Sequence, residues 1–209
     1  MPRRPTLRIV EVFPSIQGEG LRQGEPTIFV RLAGCRLRCD FCDTKYAWEG
    51  GKEMSPDEVR DLVQDLRERF PAGWVSLTGG EPFLQDLRRL ARLLRREGLK
   101  LQVETSGTRH CPLAVDWLTV SPKPGSYRVA PEFIKKAREV KLVVSRDLTL
   151  GAVRKVRLSF PAATPVILQP ESNRLWSRKR ALRMLNEALA EGLTNIRVLL
   201  QLHKVLGLR

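Results

Sequence analysis

The chain has 209 residues, 42% of them hydrophobic, and a formal charge of +14. That length suits one domain spanning 1–209 with a substantial core, and the lack of repeats, low-complexity tracts and heptads excludes solenoid, fibrous and coiled-coil architectures. No signal peptide or long apolar run is visible and only four cysteines occur, so disulfide-stapled secreted and membrane-bound classes are set aside and a reducing cytoplasm is expected.

In chain order, a strand is expected at about Leu7 to Val12, followed by the turn-rich segment Pro14 to Gly20. A buried strand, Thr27 to Leu32, runs into a cysteine-bearing loop. Ser55-Pro56-Asp57-Glu58 is a helix start, with Ser55 as cap and Glu58 completing a capping box. The helix places Val59, Leu62, Val63, Leu66 and Phe70 on one side. Trp74 to Leu77 reads as a strand ending in Thr78-Gly79-Gly80-Glu81-Pro82, then a helix from Asp86 to Glu97 stops at Gly98. Leu99 to Val103 is a strand ending in Glu104-Thr105-Ser106-Gly107-Thr108, and Val115 to Val120 one ending in Ser121-Pro122-Lys123. A short helix near Pro131 to Arg138, a strand Val140 to Val144 and a helix Leu148 to Val156 follow. Strand Val166 to Leu168 ends at Gln169-Pro170, helix Ser177 to Glu191 is long and basic, and strand Ile196 to Leu200 leads into Gln201-Leu202-His203-Lys204.

Alternating strands and helices imply an α/β fold with a parallel sheet and right-handed crossovers. A closed eight-unit barrel typically needs about 250 residues, so a partial, TIM-like (β/α)6 barrel without internal linkers is expected. The polar and Gly-rich segments all follow strand C-terminal ends. In parallel α/β folds those ends open onto one face, so the cysteine loop, T-G-G-E-P, E-T-S-G-T, S-P-K and Q-P should line one cleft.

Cys35, Cys39 and Cys42 form C-x3-C-x2-C in the first of these loops. Three thiolates can each hold one iron of a cubane and leave the fourth iron without a protein ligand. A buried apolar stripe is opposed by the interleaved charges Arg36, Arg38, Asp40 and Asp43. A structural zinc site needs a fourth ligand, which only Cys111, His110 or His203 could offer without a second C-x2-C pair. The positive charge invites a nucleic-acid partner. However, arginine doublets such as Arg88-Arg89 and Arg95-Arg96 read as solvated helix faces, and few aromatics interleave them. A basic cleft for a small anionic substrate fits equally, and neither stable nucleic-acid nor membrane binding is expected.

The cysteine run with Phe41 just before its third member, followed by G-G-E-P, resembles the radical S-adenosylmethionine superfamily. F-P-S-I-Q-G-E-G (13–20), P-T-I-F-V-R-L-A-G-C (26–35), C-D-T-K-Y (42–46), L-T-G-G-E-P (77–82), E-T-S-G-T (104–108), S-P-K (121–123), L-Q-P (168–170) and Q-L-H-K (201–204) narrow the likeness. They resemble the 7-carboxy-7-deazaguanine synthase family over nearly the whole chain. That resemblance implies a shortened radical S-adenosylmethionine barrel that converts 6-carboxy-5,6,7,8-tetrahydropterin to 7-carboxy-7-deazaguanine with loss of ammonia, on the route to queuosine. It implies a [4Fe-4S] cluster on Cys35, Cys39 and Cys42, S-adenosylmethionine cleaved to a 5′-deoxyadenosyl radical, and Mg2+ at Thr44. It also implies a flavodoxin-like or similar electron donor and a homodimer.

Residue by residue, Ile16, Gln17 and Gly18 would contact the pterin, with Glu19 close by, and Arg31 would face its carboxylate. Thr78 would touch substrate and Glu104 the pterin's amino edge. Phe41, Gly79, Gly80, Glu81, Ser121, Pro122, Lys123 and Gln169 would hold S-adenosylmethionine. Ser106 stands where the family more often has Asn, Cys111 and His110 match no motif, and His203 and Lys204 either reach the cleft or close the fold. The nearest competing enzyme is a glycyl-radical activase, which shares the cysteine spacing but acts on a protein; the I-Q-G-E-G and Q-L-H-K blocks favour the synthase.

Overall fold

The computed structural model describes residues 5–109 and 112–208. His110 and Cys111, for which no role was assigned, lie outside them. Nine strands form one sheet in the order β3-β1-β2-β4-β5-β6-β7-β8-β9. They are β1 (Leu7–Ile16), β2 (Pro26–Leu32), β3 (Lys52–Met54), β4 (Trp74–Gly79), β5 (Lys100–Thr105), β6 (Trp117–Val120), β7 (Glu139–Val144), β8 (Val166–Pro170) and β9 (Ile196–Val198). From β2 onward every pairing is parallel, whereas β1 pairs antiparallel with both β2 and β3. Among the described residues β3 and β9 do not pair with each other, so the barrel is partial and open.

The helices are α1 (Pro56–Arg69), α2 (Arg88–Arg96), α3 (Pro131–Ile134), α4 (Leu150–Ser159), α5 (Leu175–Ala190) and α6 (Leu202–Val205). The capping box at Ser55 is formed in both directions, satisfying two otherwise orphaned donors of α1. Val59, Val63, Leu90, Leu94, Val153, Val156, Ala181 and Met184 turn the helices onto the sheet's convex face. There they meet Ile28, Val30, Leu77, Leu101, Val103, Leu142 and Leu168, all with no measurable exposure. Each such side chain contributes about 1.5–3 kcal/mol by leaving water. Leu62, expected on the inner side of α1, is instead exposed. None of the helices is long and apolar enough to cross a membrane.

Three departures from the sequence reading matter. β1 continues through Pro14 and Ser15 to Ile16, where a turn was expected. β3 pairs only with Leu7–Ile9, so β1 beyond that point is an edge, where a proline lacking its N–H is tolerated. The hairpin strand β3 was not anticipated. Between β5 and β6 the described residues contain no helix, and the helix expected over Pro131 to Arg138 shrinks to the single turn of α3.

Candidate active site

The C-terminal ends of the parallel strands and the loops beyond them enclose a cavity of about 450 Å³. Ile16, Gln17, Gly18, Glu19, Arg31, Cys35, Cys39, Phe41, Cys42, Thr44, Thr78, Gly79, Gly80, Glu81, Glu104, Ser121, Lys123 and Gln169 all line it. Of the expected site residues only Pro122 does not; it is buried between Ser121 and Lys123.

The cysteine loop leaves β2 at Ala33. The Cys35 N–H donates to the Trp48 carbonyl at 3.1 Å, and the Cys42 N–H to the Cys39 carbonyl at 3.0 Å. All three thiols are free and half-buried. Burial pushes the Cys39 thiol pKa up, while the Lys123 ammonium pulls the other way. Three free sulfurs on one cavity wall suit a cubane that takes one thiolate per iron.

The G-G-E-P turn runs alongside this loop. The Gly80 N–H donates to the Leu32 carbonyl at 2.9 Å, and the Glu81 N–H to the Gly34 carbonyl at 2.7 Å. A Cβ on Gly79 would strike the Leu32 backbone, one on Gly80 the Gly34 carbonyl, and Gly79 has φ of 126°. Glycine is therefore demanded here by the close passage of two main chains. The Glu81 carboxylate is spent internally: it accepts from Thr105 Oγ1 at 2.6 Å, from the Ser106 N–H at 2.8 Å and from the Ser106 hydroxyl. Ser106 therefore braces the G-G-E-P turn to the end of β5. Opposite, Lys123 Nζ donates to Ser121 Oγ at 2.7 Å and lies 6.0 Å from the centre of the Phe41 ring. Burial, aided by the Lys141 charge, lowers the Lys123 pKa. Gln169 Oε1 is buried with no partner. An orphaned acceptor costs free energy unless a ligand donor meets it, so this corner fits a group with amino or hydroxyl donors.

The other end of the cavity is aromatic and charged. Phe13 and Phe29 stack with centroids 5.2 Å apart. The Arg31 guanidinium lies between the Phe13 and Tyr46 rings, at 5.5 and 5.9 Å. It donates to Glu11 at 2.6 Å and reaches the Thr44 hydroxyl at 3.4 Å. Thr44 in turn donates to Asp43 Oδ1 at 3.0 Å. Burial alone would raise the Asp43 pKa, but hydrogen bonds from Lys204, Gln201 and Thr44 outweigh it and hold the carboxylate well below its usual range. Glu104 faces Gln17 Nε2 at 3.0 Å and Lys141 Nζ at 3.0 Å. Lys141 also bonds Glu19. Lys141 is buried and the two carboxylates beside it are half-buried.

The Q-L-H-K segment both reaches the cleft and closes the fold. The Leu202 N–H donates to the Gly18 carbonyl at 2.8 Å. Gln201 Nε2 bonds Glu19 at 2.6 Å and Asp43 at 3.1 Å, and Lys204 bonds Asp43 at 2.9 Å. His203 rests against Gly18, where any Cβ would collide with its ring. Burial lowers the His203 pKa.

Lys141, Asp43, Gln201, Phe13, Phe29 and Tyr46 line the cavity but were not singled out from the sequence. Alternation was the available signal. In Glu139-Val140-Lys141-Leu142-Val143-Val144 the charges stand at every second position, which in a strand is one face.

A family profile described as the radical SAM superfamily matches residues 29–203. Relatives narrow this. The 7-carboxy-7-deazaguanine synthase of Aquifex aeolicus (strain VF5) is 37% identical, over 95% of this chain and 93% of its own length. That of Escherichia coli (strain K12) is 34% identical, over 96% and 98%. The crystal structure of QueE from Escherichia coli superposes with a TM-score of 0.78 at 30% identity, covering 95% of each chain. Streptococcus suis SuiB bound to S-adenosylmethionine shares the fold at a TM-score of 0.56 and 11% identity, over 79% of this chain and 48% of its own. The chain is thus a radical S-adenosylmethionine enzyme by superfamily. Within that class it belongs to the 7-carboxy-7-deazaguanine synthase family.

Proposed function

We propose that this enzyme converts 6-carboxy-5,6,7,8-tetrahydropterin to 7-carboxy-7-deazaguanine and ammonia, a rearrangement with no net oxidation or reduction. The observation that carries this reading is the convergence of thiols, G-G-E-P turn, aromatic wall and Glu104 on one cavity. A reduced cubane and S-adenosylmethionine, when bound, supply a carbon-centred radical that takes a hydrogen atom from substrate.

The chain's own residues bind, orient and exclude water. Cys35, Cys39 and Cys42 hold the cluster. Gly79, Gly80, Ser121, Lys123 and the orphaned Gln169 Oε1 would hold S-adenosylmethionine, with Phe41 on the same cavity wall. Glu81 acts indirectly, by bracing that turn onto β5. Phe13 and Phe29 offer a flat surface to a fused ring. Arg31 suits a carboxylate, which a guanidinium binds through two parallel hydrogen bonds, and Glu104 faces the amino–amide edge of the pterin. Ile16, Gln17, Gly18 and Thr78 complete that wall.

Thr44 is the Mg2+ site in this reading. A hydroxyl beside an ionised carboxylate, Asp43, suits a hard cation that keeps most of its water and completes its shell with substrate oxygens. By the same family resemblance, the electron donor is a flavodoxin-like protein and the working unit a homodimer; sedimentation of the reconstituted protein tests the latter.

Anaerobic reconstitution with iron and sulfide, followed by incubation with reductant, S-adenosylmethionine, Mg2+ and carboxytetrahydropterin, tests the assignment. Mass analysis should show a product lighter than substrate by one ammonia. Cleavage of S-adenosylmethionine with no deazapurine overturns it in favour of another radical reaction.

A further inference from the structure

One buried cation in the cavity belongs to none of the blocks that carry the family resemblance. Lys141 sits in the middle of β7, 6% exposed. Its Nζ donates to Glu104 Oε2 at 3.0 Å and to Glu19 Oε2. The other oxygen of each carboxylate is held by an amide: Gln17 Nε2 on Glu104 at 3.0 Å, and Gln201 Nε2 on Glu19 at 2.6 Å. Among the described residues no other ion pair reaches either carboxylate.

Two carboxylates that share one ammonium stand only about 5–6 Å apart, the span of two hydrogen bonds. At that separation two carboxylates repel each other, and a cation between them relieves the repulsion. An ion pair serving stability alone has no need to face a ligand. Here Lys141 and both of its partners line the cavity; besides Gln17, Glu104 Oε1 has among the described residues only the longer contacts from Gln102 Nε2 at 3.4 Å and Ser76 Oγ at 3.5 Å, which a ligand donor would replace.

We propose that Lys141 is the positioning residue for recognition of a 2-amino-4-oxopyrimidine edge, holding Glu104 as an ionised acceptor beside Glu19 so that Glu104 meets the ring N–H and amino donors together. This rests on the role given to Glu104 above. It adds a specificity device: an ionised carboxylate rejects a 2,4-dioxo ring, which presents an acceptor oxygen where the amino group would be. A protonated carboxyl can donate to that oxygen and tolerate it.

Other charges feel this group. Glu139 on the same strand, Lys123 beyond β6 and His203 on α6 lie within the field of Lys141, and Arg31 on β2 within that of Glu104. Glu139 is committed one layer below, to the Leu21 N–H and Thr119 at 2.7 Å each. His203 is neutral above neutrality because burial lowers its pKa. Lys123 titrates differently once the Lys141 charge is gone, so its contribution is read from K123Q and K123Q/K141Q enzymes measured alongside.

The test measures KM for carboxytetrahydropterin, and kcat separately, in reconstituted native, K141Q and K141R enzymes from about pH 7.5 to about pH 9. Native and K141R enzymes should give a flat KM. K141Q should show a KM roughly ten-fold or more higher at the lower pH, falling toward native as the freed carboxylate ionises, with kcat within about three-fold. Its preference for the 2-amino-4-oxo over the 2,4-dioxo pterin carboxylate should drop by about ten-fold or more. A K141Q enzyme with native KM, the native pH profile, or a loss confined to kcat overturns the proposal. Should K141Q not fold, K141R decides: a flat KM supports the clamp and a pH-dependent one overturns it. Native enzyme that makes no deazapurine brings down the functional reading and this inference together. Native turnover with an unresponsive K141Q brings down the inference alone.

Discussion

On the convex face of the sheet, Ile28, Val30, Leu77, Leu101, Leu142 and Leu168 pack beneath helices and touch no water. On the concave face, at alternate positions of the same strands, stand Phe29, Arg31, Thr78, Gln102, Glu104, Thr119, Lys141 and Gln169. The strand registers Arg31↔Thr78, Glu104↔Thr119 and Val143↔Gln169 put paired residues on a common side. One backbone thus carries two chemistries separated by a single residue step. The convex side gains stability from non-directional burial. The concave side buries polar groups, which is tolerable only because each meets a partner or awaits a ligand. Arg22 shows the rule at its base: buried, it lies 3.4 Å over Trp74 and bonds Glu25 and Gln102. Stability and function can therefore be disturbed separately.

The largest effect should come from the concave side. Cys39→Ala should abolish deazapurine formation and cluster-bound iron, while denaturant unfolding of the iron-free protein stays near native. A C39A enzyme that still assembles an active cluster refutes the ligand assignment. On the convex side, Leu142→Ala should cost about 2–5 kcal/mol of stability through the cavity it leaves, measured by urea unfolding of the iron-free protein. The folded fraction should keep its KM; a KM that rises in step with destabilisation would show that the faces are coupled. Next, Thr44→Ala should raise the Mg2+ concentration for half-maximal activity by roughly ten-fold or more, with no change in S-adenosylmethionine affinity. Unchanged turnover and Mg2+ dependence would remove that assignment. The smallest effect is expected from Ser55→Ala, away from the cavity, at about 1 kcal/mol from the lost cap with kinetics unaltered.

Much of this division was readable in the sequence, and the part that was not has a physical reason. Loops after strands announce themselves through glycine, proline and clustered polar residues, so the cysteine loop, G-G-E-P, E-T-S-G-T and S-P-K were found, as was the Ser55 cap. Lys141 is hard to read because the expected strand begins at Val140, which leaves out Glu139 and its alternation, and one charge within Val140-Lys141-Leu142 does not reveal which face is concave. β3 has three residues, too few for any periodicity. The bracing of Glu81 by Thr105 and Ser106 joins segments 24 and 25 residues apart, a proximity that only the sheet creates. The arginine doublets do lie on exposed helix faces: Arg88, Arg89 and Arg95 each pair with an aspartate.

The bond from Gln201 to Glu19 joins residues 182 positions apart. Ribosomes make chains from the N-terminus, so the thiol-bearing loop emerges long before the segment that walls it in. Until residue 204 has emerged, nascent protein has no Gln201–Lys204 contacts to Asp43. The wall that Gln201 and Lys204 supply is therefore the last part of the cavity to form during synthesis.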